Sequence, residues 1–167
     1  YMPLGLADLR GQPPIMAGAA LSVASVTWTA GTWLVERRPR LQDQTKTVPA
    51  GLALIALGIG IAGMGMVEPL PVMLTPAGWA VAGFGMGISY PNLSLALLRT
   101  APESEQGAAT ASLKVGEYLG PALGIGVAGG VIAVASDGGW LGAAIGWTMA
   151  ASAAGSAVAA IAARRSS

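Results

Sequence analysis

Long apolar runs separated by short polar turns set the pattern of this chain. Five such runs are read, over residues 15–35, 48–66, 79–98, 108–135 and 140–163. At about 1.5 Å of rise per residue, each is long enough as a helix to cross a hydrocarbon layer of about 30 Å. Residues 1–9 read as the end of a further helix that begins before the chain does. The dyad alternation of a membrane barrel is absent, and an open sheet would leave its edge groups unsatisfied in lipid. The predicted fold is all-α: a polytopic membrane helix bundle of five full transmembrane helices plus the end of a sixth, in one membrane domain over residues 1–167.

Composition supports a membrane solvent and narrows the chemistry. Only 10% of the residues are charged and 53% are hydrophobic, with mean hydropathy +0.61. Soluble domains carry about 25% charged side chains. A net charge of +1 leaves no basic patch for phosphates, so nucleic acid is not a predicted partner. With no cysteine and no histidine, the chain lacks disulfides, thiolates and the commonest general base. No acids stand at metal-ligand or hydrolytic spacing, so no metal, no cofactor and no enzymatic centre is predicted. The opening Tyr1-Met2-Pro3 lacks a signal-peptide pattern, and the chain reads as a piece of something longer.

Charges in the turns alternate. Arg37, Arg38, Arg40 and Lys46 lie in the 36–47 turn, Arg99 follows the third span, and Arg164 and Arg165 follow the last. The 67–78 turn holds no cation. Strict alternation of spans therefore gathers seven of the nine cations on one side, which the positive-inside rule makes cytoplasmic, together with the C-terminus. The predicted location is the cell (cytoplasmic) membrane. Arg10 and Lys114 fall outside this pattern. Trp79 and Trp140 at external ends and Trp33 near a cytoplasmic end read as interfacial anchors.

Small residues recur four apart at Gly83 and Gly87, at Gly116, Gly120 and Gly124, at Gly126 and Gly130, and at Gly142 and Gly146. This spacing lets helix backbones approach closely, either for static packing or for surfaces that move during a transport cycle. Tyr90-Pro91-Asn92 interrupts a span: the proline frees one carbonyl, and the two polar side chains either line a cavity or stay locally satisfied. The cations of GTWLVERRPR, residues 31–40, either set topology or pair with a carboxylate as a latch.

The stretch SLKVGEYLGPALGIG, residues 112–126, carries two charges inside a span. Lys114 and Glu117 share a helix face, and entry near Ala108 puts them about 9 Å and about 14 Å deep. Lysine can reach back to the interface along its stem. Glutamate cannot, so it must be paired, hydrated or protonated. Either it exchanges a proton as access changes, or it forms a fixed pair with Lys114. Gly120, Pro121 and Gly124 lie close to Glu117 on the helix wheel, leaving its face smooth.

These features resemble the carboxy-terminal half of a major facilitator superfamily transporter of the drug:proton antiporter type. YMPLGLADLRGQPPIMAG resembles the end of helix seven, an external turn and the start of helix eight. GFGMGISYPNLSLALLRTAPESEQGAATAS resembles helix ten, its turn and the entry to helix eleven. GTWLVERRPR is similar to the family's basic loop motif, without its aspartate and central glycine. Gly107, Gly116, Gly120, Pro121 and Gly124 are similar to the antiporter motif, with Ile125 in place of its final glycine.

The resemblance implies two six-helix halves around a central cavity, alternating access by rocking, and proton-coupled export of small compounds. The implied partners are the bilayer, the amino-terminal half missing from this chain, protons and a small-molecule substrate. Glu117, Tyr90, Asn92 and Lys114 are the candidates for proton coupling or substrate binding. A structural or assembly subunit that transports nothing is the alternative.

Overall fold

The computed structural model describes residues 2–165 as helices joined by short turns. They are α1 Met2–Asp8, α2 Pro14–Arg37, α3 Gln44–Met64, α4 Leu74–Thr100, α5 Gln106–Asp137 and α6 Leu141–Arg165. Single 3-10 turns at Pro39–Gln42 and Glu103–Glu105 join α2 to α3 and α4 to α5. No strand occurs among the described residues, and five helices, α2 to α6, are long and apolar enough to cross a membrane.

Local chemistry explains the helix starts. α2 opens on Pro14, whose fixed φ suits a first helical position. α3 starts at Gln44, ahead of its apolar run, because Asp43 caps it by accepting from Thr45 N at 3.2 Å and Thr45 Oγ1 at 2.6 Å. The Thr45 hydroxyl, then Lys46 at 3.5 Å, holds the Asp43 carboxyl below its ordinary value. α4 starts at Leu74, before the apolar run at 79, because Pro76 falls in the first turn, where no intrahelical N–H is needed. Trp79 consequently sits more than a turn inside α4, where it packs against the apolar cluster. Trp140 and Trp33 are exposed, at 43% and 51%.

Helices α2, α3 and α4 form a close-packed slab held by backbone proximity. A Cβ on Gly51 would stand 2.6 Å from Gly85 O, one on Gly58 2.5 Å from Gly78 O, and one on Gly31 2.9 Å from Phe84 O. Real side chains cannot occupy such positions, so glycine is what allows these helices to touch. Gly83 and Gly87 belong to the same contact, against Ala24 and Trp28 of α2. Gly51 meets Gly85 and Gly58 meets Gly78, so α3 and α4 run antiparallel. Ala24 meets Gly83 and Trp28 meets Gly87, so α2 and α4 run parallel.

Pro91 lies within the continuous helix α4. Its missing N–H leaves the Gly87 carbonyl without an intrahelical donor, and the Thr32 hydroxyl of α2 donates to that oxygen at 3.3 Å. The carbonyl freed by the proline becomes a contact between helices.

Large apolar side chains concentrate at one end of the bundle, where Met2, Leu6, Met66, Ile132 and Ile145 form a buried cluster. Arg10 closes this end by donating from Nη2 to Leu70 O at 2.8 Å, which gives a structural role to a cation outside the turn pattern. The opposite end carries the turns with Arg37, Arg38, Arg40, Lys46 and Arg99. The side chains of Arg164 and Arg165 lie outside the described residues.

α5 differs from the slab. A Cβ placed on Gly107, Gly116, Gly120, Gly124, Gly126 or Gly130 would meet nothing within 4 Å. Leu123 and Val127 are 67% and 70% exposed. The small-residue repeat that is close-packed in α4 is open in α5.

Candidate functional site

Three side chains make the polar connection between the bodies of α4 and α5; beside the turn, Gln106 Nε2 of α5 also donates to Leu98 O of α4 at 3.4 Å. The Tyr90 hydroxyl of α4 donates to Glu117 Oε1 of α5. Lys114, one turn before Glu117, donates to Glu117 Oε2 at 2.7 Å and to the Tyr90 hydroxyl at 3.1 Å. Lys114 Nζ also stands 5.8 Å from the Tyr90 ring centroid, within cation–π range. The i,i+3 spacing aligns the two charges on one helix face, and Pro91 follows Tyr90 directly in α4.

The carboxylate is thus paired and doubly hydrogen-bonded while remaining one-quarter exposed, against one-half for Lys114. Lys114 is drawn to Glu117 instead of extending alone toward the interface. A charged acceptor 2.7 Å away offers this ammonium what interfacial water would otherwise supply. The neighbouring face of α5, over Gly120 and Gly124, is open. Chemically, such a carboxylate can take a proton or exchange Lys114 for another cation without repacking a core.

Asn92 lies away from this group. It is buried at 1% exposure, and its Nδ2 donates to Ile88 O at 2.9 Å and to Leu41 O at 3.0 Å, tying α4 to the 3-10 turn after α2. Of the tripeptide Tyr90-Pro91-Asn92, the tyrosine faces the acid, and the asparagine organises the basic turn. In that turn Arg37 stacks over Trp33, 4.2 Å from the ring centroid. Arg38 and Arg40 are exposed. Among the described residues, the ion pairs are Asp43–Lys46 and Lys114–Glu117, so no latch pair is formed by these arginines.

Trp28 completes the site, and the sequence reading did not single it out. Its ring meets Tyr90 edge-on at 6.3 Å, so α2 supports the tyrosine from behind. A tryptophan in the body of a span, away from either interface, was the available signal. MPLGLAD, Gly107 and Gly116 contribute no side chain to the group; Pro121 and Gly124 line an apolar hollow of about 310 Å³ with Met2, Trp79 and Met149.

Comparisons with known proteins agree with this architecture. Two probable multidrug-efflux transporters of Mycobacterium tuberculosis, from strains CDC 1551 / Oshkosh and ATCC 25618 / H37Rv, are each 31% identical to this chain over 143 residues. The aligned part is 83% of this chain and 30% of each relative, so the chain spans about a third of their length. No solved structure matches it significantly. The profile described as Major Facilitator Superfamily matches residues 1–125, which include the α2–α4 slab and the Tyr90–Lys114–Glu117 group. With five membrane-length helices and a match over most of its residues, the chain belongs to the major facilitator superfamily, a family of membrane transporters.

Proposed function

We propose that this chain is the carboxy-terminal half of a proton-coupled exporter of small, drug-like compounds that works by alternating access. The family membership points to a transporter and away from an enzyme. Relatives named as probable multidrug-efflux transporters favour export. An amino-terminal half would complete the central cavity, and a small-molecule substrate and protons would be the partners. The gathering of basic turns at one bundle end favours a cytoplasmic-membrane location with the C-terminus inside.

The observation that carries the coupling is the Glu117 carboxylate held jointly by Tyr90 and Lys114 beside an open helix face. Protonation at Glu117 removes the charge that attracts Lys114 and weakens the acceptor for Tyr90. Lys114 is then free to extend along its own stem to the interface. The polar connection between α4 and α5 is thereby made in one protonation state and released in the other. A cationic substrate competing with Lys114 for the carboxylate would have the same effect. The other candidate positions serve this exchange indirectly: Asn92 anchors the basic turn, Arg37, Arg38 and Arg40 orient the bundle, and Gly107, Gly116, Gly120, Pro121 and Gly124 leave α5 a smooth face.

A static role for the same pair is the second reading, favoured by the 2.7 Å contact that already neutralises the acid. Efflux driven by a pH gradient in vesicles, comparing the full-length protein with its Glu117→Gln variant, separates the two. Coupling by Glu117 predicts that the variant loses gradient-driven efflux while still binding substrate. Wild-type proton dependence in a folded variant would leave the static reading standing.

A further inference from the structure

The basic turn after α2 has features that neither its topological role nor the transport site uses. Leu34, Arg38, Pro39, Arg40 and Leu41 line an open hollow of about 610 Å³. Its floor is apolar, from Leu34, Pro39 and Leu41, and its two cations are guanidinium groups without a carboxylate partner among the described residues. Asp43, an acid of the same turn, is engaged by Thr45 and Lys46.

The hollow is held in shape before any ligand arrives. Asn92, buried in α4, donates to Leu41 O at 3.0 Å, and Gln42 Nε2 donates to Val35 O at 3.4 Å. Within the turn, Leu41 N bonds Arg38 O at 2.8 Å. A backbone fixed at three points spares a ligand the entropy of ordering it. Beside it, the exposed Trp33 ring under Arg37 is placed as an amphipathic residue at a membrane interface.

We infer that this hollow is a binding site for one anionic phospholipid of the adjoining leaflet, with its phosphate between Arg38 and Arg40 and its glycerol and upper acyl region on Leu34, Pro39 and Leu41. Charge and surface select this occupant together. Guanidinium forks match phosphate oxygens in geometry. The apolar floor, at the end of a membrane-spanning helix, offers a soluble anion nothing and offers a lipid a seat. A zwitterionic headgroup carries an ammonium that the two arginines repel, so an anionic lipid is preferred. The site joins a lipid to the turn that Asn92 fastens to α4, two residues from Tyr90, so occupancy bears on the helix that carries the transport group.

The test uses the full-length protein purified in detergent, with phosphatidylglycerol and phosphatidylcholine titrated separately and bound lipid counted by native mass spectrometry. The expected result is preferential retention of phosphatidylglycerol. Arg38→Gln/Arg40→Gln should bind it about thirty-fold more weakly, the loss expected for two interfacial cations, whereas Arg38→Lys/Arg40→Lys should lose less. Arg99→Gln, which removes a cation at the same bundle end, should leave retention unchanged. Equal loss in Arg99→Gln would mean diffuse attraction and overturn the site. Undiminished binding in the double glutamine variant, or equal binding of phosphatidylcholine, would overturn it too. Displacement of the lipid by inorganic phosphate alone would identify a soluble-anion site and reject the lipid. If the double glutamine variant does not fold, Arg40→Gln by itself decides between the same outcomes.

Discussion

The Tyr90 hydroxyl donates to the Glu117 carboxylate across 27 residues of sequence, and with Lys114 it makes the polar connection between α4 and α5. Because α5 presents its glycines to open space, this connection holds it beside the slab together with the packing of Ile132 and Ala135 in the buried cluster. Tyr90→Phe and Glu117→Gln should each loosen α5, and the double variant should be little worse than Glu117→Gln alone. Shared partners produce such non-additivity. Thermal unfolding of the four proteins in detergent measures it, and strictly additive losses would show that the two residues act separately.

Thr32 is expected to matter because of a proline on another helix. Removing its hydroxyl in Thr32→Val leaves the Gly87 carbonyl, freed by Pro91, without a donor. The expected loss is about 1–3 kcal/mol, the usual cost of an unsatisfied buried acceptor. In a Pro91→Ala background the same substitution should cost less, since the backbone N–H then supplies the bond. An unchanged cost in that background would break the link between Thr32 and the proline.

Glycines at packed and at open helix positions should respond differently to a methyl group. Gly58→Ala places a Cβ 2.5 Å from Gly78 O and should destabilise the slab by about 1–3 kcal/mol through overpacking. Gly120→Ala meets nothing within 4 Å in this chain and should leave its unfolding midpoint unchanged. In the full-length protein, a transport defect from Gly120→Ala without loss of stability would mark the open face of α5 as a surface used by the other half.

Asp43 gives the start of α3 a sensitivity to acid. Its folded-state pKa is lowered beneath 3.8, first by the Thr45 hydroxyl, so its stabilisation is present above that value. As pH falls through the lowered value, the stabilisation is lost. Asp43→Asn keeps a capping oxygen but should remove this dependence. Unfolding midpoints followed from about pH 5 down to about pH 2 should fall for the wild type and stay flatter for the variant at that step.

Much of the architecture was legible along the chain. Apolar runs long enough to span lipid, with charges confined to turns, leave helices as the economical way to satisfy the backbone, and the five spans follow. Lys114 and Glu117 were legible for the same reason, because charge is costly where the surrounding pattern is apolar. Family membership was foreshadowed by the stretches around Tyr1–Gly18 and Gly83–Ser112, within the residues the family profile matches.

Other features depend on which helix faces which, and a one-dimensional pattern holds no such information. Repeats of glycine look alike in α4 and α5, yet one is pressed against α2 and α3 and the other is open. Tyr90 and Asn92 are two residues apart, but the helical turn between them sends one to Glu117 and the other to Leu41 O. The packing of Trp79 against the apolar cluster is likewise visible only once the helices are assembled. The sequence by itself determined the solvent, the spans and the costly charges, because these follow from transfer free energies summed along the chain. Only the tertiary structure decided the partners of Glu117, since hydrogen bonds are directional and need two helices at one depth and in one rotation.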